Sequence, residues 1–198
     1  MLIEPNDPAV ADEAKQWTDD QTSRWGYVPN YAAAFVSRPD VANAWTALNL
    51  TVRNGMDRRR YEIATIAAAR AMRNTYCTVA HSMFLRDACH DEQSMVALAG
   101  HPDSGALDAT DRAIIAFAGK VAHNPADIST DDMASLRSVG LSDNEIADVV
   151  FAVAARSFFT RVLDGMGIHA DHELAHSFEP ALIDQMVVGR SIDTTSGG

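Results

Sequence analysis

Glu62, Cys77 and His81 are the residues of this 198-residue chain whose types and spacing could do chemistry together. They lie in the run Glu62-Ile-Ala-Thr-Ile-Ala-Ala-Ala-Arg-Ala-Met-Arg-Asn74-Thr-Tyr-Cys77-Thr-Val-Ala-His81. Cys77 and His81 are four apart, so on a helix they share a face one turn from each other. A break at Asn74-Thr75 puts Cys77 in the first turn, where free N–H groups and the helix dipole favour a thiolate. An imidazole one turn away can accept the thiol proton. Glu62 belongs to the preceding helix; with the two helices folded back on each other, its carboxylate would orient His81 or relay its proton. The same residues also fit an inert core, because free Cys is among the most buried residue types and the Cys-x-x-x-His spacing arises by chance. One Cys and one His are half a zinc ligand set, so no metal is expected.

The elements that must position these residues read as helices throughout. Apolar residues make up 47 % of the chain, and Ala-rich stretches with few Val/Ile runs favour helix over strand. The spacing predicts a helix from Pro8 to about Arg24 and a short one over Tyr31 to Ser37, capped by Asn30. Another starts at Pro39 and ends at a C-cap glycine, Gly55. Asp57 caps a helix through Ala71, a new helix runs from about Tyr76 to Ala88 or Cys89, and Asp91 opens another to Ala99. The breaker-rich stretch from Gly100 through Gly105 sets an internal boundary. It separates an N-terminal helical half, 1–100, from a second half, 106–180, of the same unit, with 190–198 as a disordered tail. In the second half Thr110 caps a helix to His123, Ser129 or Thr130 opens one closed by Gly140, and Ser142 with Glu145 forms a capping box. The helix that follows, to Met166, is apolar on more than one face, which points to burial between the halves or against another subunit.

The formal net charge of −11 argues against nucleic acid and against an anionic membrane surface. No leader-like or membrane-spanning stretch is visible, and two cysteines are no disulfide framework, so the expectation is a cytoplasmic protein in a reducing compartment.

The Glu-Cys-His run resembles the signature of the alkylhydroperoxidase D-like, or carboxymuconolactone decarboxylase, superfamily: a Glu, then Cys-x-x-Cys, then His four residues after the second Cys. Glu62, Cys77 and His81 take three of those positions, and Tyr76 takes the aromatic one before the second Cys. Gly26-Tyr-Val-Pro29-Asn30, Arg38-Pro39, Asp111-Arg112-Ala113, Leu136 to Ser142 and Arg161 before Gly165-Met-Gly167 look like its peroxidase-related branch. The resemblance implies an all-α, alkylhydroperoxidase D-like helical bundle that self-associates, works without a cofactor and acts as a thiol-dependent peroxidase. The implied partners are a small hydroperoxide or carboxylate-bearing substrate and an external thiol reductant. Asn74 stands where the pattern has its first, resolving cysteine. Cys89 cannot replace it, since twelve residues of helix span about 18 Å. A one-cysteine cycle follows, with Cys77 attacking, His81 and Glu62 managing protons, and Asn74 donating a hydrogen bond to the sulfur or the peroxide. Arg161 would bind an anionic substrate group or pair with a carboxylate such as Asp164. The rival readings are a cofactor-free decarboxylase that does not need the cysteine, a redox sensor, and a structural oligomer.

Of the remaining residues, Arg58-Arg59-Arg60 opposes the helix dipole and reads as a solvated face or a set of intersubunit partners. His169, His172 and His176 read as surface residues, as do His101 and His123. Trp17, Trp25 and Trp45 read as core or interface anchors.

Overall fold

The computed structural model describes residues 1–4, 6–100 and 105–193. In chain order its helices are α1 (Ala11–Trp25), α2 (Pro39–Gly55), α3 (Arg58–Ala71), α4 (Thr75–Ala88), α5 (Glu92–Gly100), α6 (Ala109–His123), α7 (Thr130–Ser138), α8 (Asp143–Met166), α9 (His172–Ala175) and α10 (Pro180–Met186). Short 3-10 turns at Pro8–Val10, Asn30–Phe35 and Pro125–Asp127 complete them. Among the described residues no strand forms, and a single isolated bridge pairs Ala170 with Ile192. The all-α expectation holds. No described helix is long and apolar enough to cross a membrane.

The central helix is α3. Every residue from Tyr61 to Ala69 is buried, because α6, α4 and α8 pack around it. Alanine at 64, 67, 68 and 69 keeps those neighbours close, while Ile63 and Ile66, fully buried, each contribute about 1.5–3 kcal/mol of burial free energy. Asp57 caps α3 as expected, its carboxylate accepting from the Arg60 N–H at 2.9 Å. The chain then reverses through Arg73, whose φ of 58° marks a left-handed turn, and α4 returns along α3. This reversal brings the two motif-bearing helices face to face.

The three arginines opening α3 are neither a solvated face nor left for another subunit. Arg58 pairs with Glu62 at 2.5 Å, and Arg60 with Glu145 at the start of α8 at 2.5 Å. Arg59 reaches Asp91 at 2.5 Å and Asp111 at 2.6 Å, tying α3 to the starts of α5 and α6. Acidic helix starts converge on Arg59 and Arg60, while Arg58 pairs within α3, and these attractions outweigh the local dipole penalty.

Several caps differ from expectation. Asp108, with Asp111 as its box partner, caps α6; Thr110 instead donates to the Val139 carbonyl. Asn30 is no side-chain cap, because its amide donates to the His169 carbonyl. Gly55 is the last residue of α2 and Met56, in extended conformation, follows it, so no left-handed glycine is needed there. The boxes at Ser129–Asp132 and Ser142–Glu145 form as the spacing requires.

Residues 190–193, assigned to a tail on sequence grounds, are tied back: Arg190 donates to the Asp164 carbonyl and the Asp193 N–H to Ala170. Residues 194–198 lie outside the described residues, as do 101–104, which hold His101 and most of the expected internal boundary. We propose that the two halves form one unit, since α3 packs against both α6 and α8.

Candidate active site around Cys77

The N-cap of α4 is Asn74, and this sets the sulfur's position. Its Oδ1 accepts from the Cys77 N–H at 2.8 Å, while Nδ2 donates to Asp164 at 2.9 Å and towards the Thr160 carbonyl at 3.5 Å. Both ends of the amide are occupied. Contrary to the sequence expectation, Asn74 therefore does not donate to the sulfur; it fixes the first turn on which the sulfur sits.

One turn further along α4, His81 Nδ1 lies 2.5 Å from Glu62 Oε2 across the α3–α4 contact. Glu62 is 0 % exposed, and its other oxygen accepts from Arg58 Nε at 2.5 Å. Burial works against its charge, but the His81 and Arg58 donors beside it hold the carboxyl below its usual range. An ionised carboxylate can only accept, so Nδ1 carries the imidazole proton and Nε2 keeps its lone pair. Burial, together with the positive charge of Arg156, pushes the His81 pKa down to about 4 against the pull of Glu62. The imidazole is thus neutral near pH 7, oriented by a buried anion, with one basic nitrogen free.

Cys77 is also buried. Burial pushes its thiol up; Arg156 opposes this only in part, and the Asp164 carboxylate adds to the rise. The resting sulfur is a thiol, contrary to the thiolate expected from its place in the first turn. The dipole contributes little there because the Cys77 N–H already donates to the Asn74 cap.

Arg156, in the middle of α8, completes the site and was missed by sequence reasoning. Its Nη1 lies 3.6 Å from Cys77 Sγ, and Nη2 donates to Asn49 Oδ1 and the Tyr61 hydroxyl, each at 3.3 Å. The guanidinium lies over Trp45 and Phe159, 5.6 and 5.5 Å from the ring centroids. The expected arginine, Arg161, is on the exposed face of α8. Five residues of helix turn a side chain by about 140° beyond one full turn, which carries position 161 away from the sulfur. Asp164 is engaged by Asn74 instead. The signal in the sequence was a cation directly after Ala154-Ala155 in the most apolar stretch of the chain, where a charge needs a specific role.

A cavity of about 110 Å³ joins these groups. Cys77, His81, Glu62 and Arg156 form its buried polar part; Tyr31, Tyr61, Tyr76 and Phe159 give aromatic walls, and partly exposed Trp25, Trp45, Phe84, Arg53 and Arg58 lead outward. Trp25 and Trp45 are therefore cavity walls as well as packing anchors, whereas Trp17 is buried in the core. Tyr76 donates its hydroxyl to buried Asp171, which also accepts from the Tyr27 hydroxyl at 3.1 Å and the Asn30 N–H at 2.6 Å. This carboxylate fastens the segment after α1 over α4. Cys89, at the far end of α4, does not line the cavity. His172 and His176 lie one turn apart with their rings in tilted contact, and among the described residues no group of three His, Cys, Asp or Glu is arranged to hold a metal ion.

Residues 39–104 match the carboxymuconolactone decarboxylase family. A crystal structure of a peroxidase-related protein from Silicibacter sp. TM1040 superposes with a TM-score of 0.74 at 26 % identity, covering 87 % of this chain and 92 % of that one. Over residues 39–104 the sequence resembles the carboxymuconolactone decarboxylase family, and the chain has the fold of this peroxidase-related structure. A second structure, described as an alkylhydroperoxidase AhpD core and peroxidase-related protein from Ralstonia eutropha JMP134, is similar with a TM-score of 0.73 and 22 % identity over 87 % of this chain and 92 % of that one. The debrominase Bmp8, in an alanine-for-cysteine variant complexed with 2,3,4-tribromopyrrole, shares the fold with a TM-score of 0.72 at 16 % identity, over 94 % of this chain and 97 % of that one. No curated protein sequence matches the chain. The superfamily segment takes in α2 to α5, and so Glu62, Cys77 and His81, whereas Arg156 lies beyond it.

Proposed function

We propose that this protein is a thiol-dependent oxidoreductase that reduces a small hydroperoxide at Cys77. The observation carrying this reading is the buried Glu62–His81 hydrogen bond on the same cavity as a sulfur that an arginine touches. The proton on the resting thiol passes to His81 Nε2, and the charge appearing on sulfur is stabilised by Arg156. The sulfur attacks the terminal peroxide oxygen: the S–O bond forms, the O–O bond breaks, and the alkoxide leaves with the proton returned by His81. Sulfur is oxidised by two electrons to a sulfenic acid and the peroxide is reduced by two. One external thiol condenses with the sulfenic acid, releasing water, and a second displaces the resulting mixed disulfide, restoring Cys77. With Asn74 in place of a second cysteine, the reductant must come from outside the chain.

Steady-state peroxide consumption with dithiothreitol tests this. Turnover is expected from the parent chain and absent from Cys77→Ser. Turnover of a muconolactone-type carboxylate that survives Cys77→Ser would establish the decarboxylase reading, and stoichiometric oxidation without turnover the sensor reading. A second thiol chemistry, removal of halogen from an aromatic ring, is favoured by the aromatic cavity walls and the tribromopyrrole complex of Bmp8. Bromide release separates it from peroxide reduction. We also propose self-association through the exposed apolar residues Leu48, Phe151 and Phe158 on α2 and α8, for which light scattering coupled to gel filtration is the test. A reducing cytoplasm fits two free thiols, Cys77 and the partly exposed Cys89.

A further inference from the structure

We infer that the Cys77 cavity takes a small aromatic anion, a single ring bearing a carboxylate or an acidic hydroxyl, as its substrate or as the non-reacting part of its substrate. The inference rests on the proposed function only in taking this cavity as the substrate site. Its first support is charge. Arg53, Arg58 and Arg156 line the cavity with one ionised carboxylate, Glu62, and a neutral His81, so three positive charges and one negative leave an excess of two. The whole chain carries −11. A cationic pocket in an acidic protein focuses its field on anions.

The second support is an incomplete guanidinium. Arg156 is 3 % exposed, yet among the described residues no carboxylate pairs with it. Its N–H groups reach Cys77, Asn49 and Tyr61, all neutral partners at rest, and Nε has no partner. A buried charge without a counter-ion is costly to hold in a fold. An anion entering the cavity would supply that counter-ion. Arg53, at the outer side, likewise has no carboxylate partner among the described residues; its side chain donates to Asn54 Oδ1 at 3.4 Å.

The third support is shape. Trp45 and Phe159 stack with ring centroids 4.1 Å apart and an interplanar angle of 17°, and Arg156 lies against both. At about 110 Å³ the cavity is somewhat smaller than the roughly 150 Å³ void known to admit benzene, and it opens outward past Arg53 and Arg58. The stacked pair offers a flat wall for one ring, whose remaining volume would extend through the opening past Arg53 and Arg58.

The test is calorimetric titration of the Cys77→Ser chain, in which no thiol chemistry intervenes, with benzoate, benzamide and acetate at pH 7.5. Benzoate is expected to bind at least tenfold tighter than either of the others, and Arg156→Met in the same background to abolish its advantage over benzamide. Equal binding of benzoate and benzamide, acetate as tight as benzoate, or a preference untouched by Arg156→Met would overturn the inference. Should the Met variant fail to fold by circular dichroism, Arg156→Lys serves: it must weaken benzoate more than benzamide, and an equal effect overturns the inference. Failure of the redox reading is distinguishable, since inert Cys77 with an intact benzoate preference leaves this assignment standing, and reactive Cys77 without one removes it alone.

Discussion

Replacing Arg156 by methionine should slow reaction of Cys77 with a neutral alkylating agent by about three powers of ten between pH 6 and 8. The guanidinium Nη1 is 3.6 Å from the sulfur. At an effective dielectric of about 20, a unit charge at that distance stabilises the thiolate by about 4 to 5 kcal/mol, equivalent to roughly a thousandfold in thiolate population. The fold should tolerate the exchange. Met matches the length of the arginine stem, the lost charge had no counter-ion, and the Tyr61 hydroxyl still donates to Asn49 at 2.7 Å, leaving neither group orphaned. Iodoacetamide modification followed by mass spectrometry of the Cys77 peptide across pH 6–9 reads the effect directly. Both chains should show rates rising about tenfold per pH unit, because burial keeps the resting thiol protonated, with the variant line displaced downward. A variant rate within threefold of the parent would refute the claim that Arg156 controls ionisation of this sulfur.

His81 makes acid stability a second test. Its pKa is near 4 in the fold against an ordinary value of 6.5 in the unfolded chain. Between those values the unfolded chain binds more protons, so stability falls as pH drops from about 6.5 to 4. Urea melts should lose about 2 kcal/mol more between pH 7 and 5 in the parent than in His81→Gln; identical acid limbs would contradict the neutral, buried imidazole. Arg59→Met should cost about 3 kcal/mol by stranding buried Asp111 and releasing Asp91, whereas Arg60→Ala, whose partner Glu145 is partly exposed, should leave the urea midpoint nearly unchanged. Comparable losses would show that the arginine cluster does not act as described. Asn74→Ala should cost about 1–2 kcal/mol; alanine as stable as asparagine would remove Asn74 from its capping role.

The helices were legible where period and cap agree, as at Asp57, Ser129 and Ser142. They misled where two polar residues competed for a cap: at Asp108 and Thr110 the carboxylate took the role because it also closes a box with Asp111. The Glu62–His81 pairing could be anticipated because a turn at Asn74 sends α4 back along α3. Arg156 could not, for its distance to Cys77 depends on the packing of α8 across 79 residues of chain. The choice between Arg156 and Arg161 turns on helical phase, which a single sequence does not anchor. The arginine run was misread for a similar reason. Its partners, Asp91, Asp111 and Glu145, come from three separate helix starts, and their convergence is a property of the assembled fold. The lowered thiol pKa expected from the first-turn position failed because burial outweighs a dipole whose nearest N–H is already committed.

The central claim, that Cys77 is the reacting nucleophile, is tested most directly by trapping its first oxidation product. The reduced chain is treated with one equivalent of hydrogen peroxide in the presence of dimedone, digested and analysed by mass spectrometry. The account predicts a dimedone adduct on the Cys77 peptide, lost in His81→Ala, with Cys89 unmodified. An adduct forming first on Cys89, or an unmodified Cys77, would contradict it.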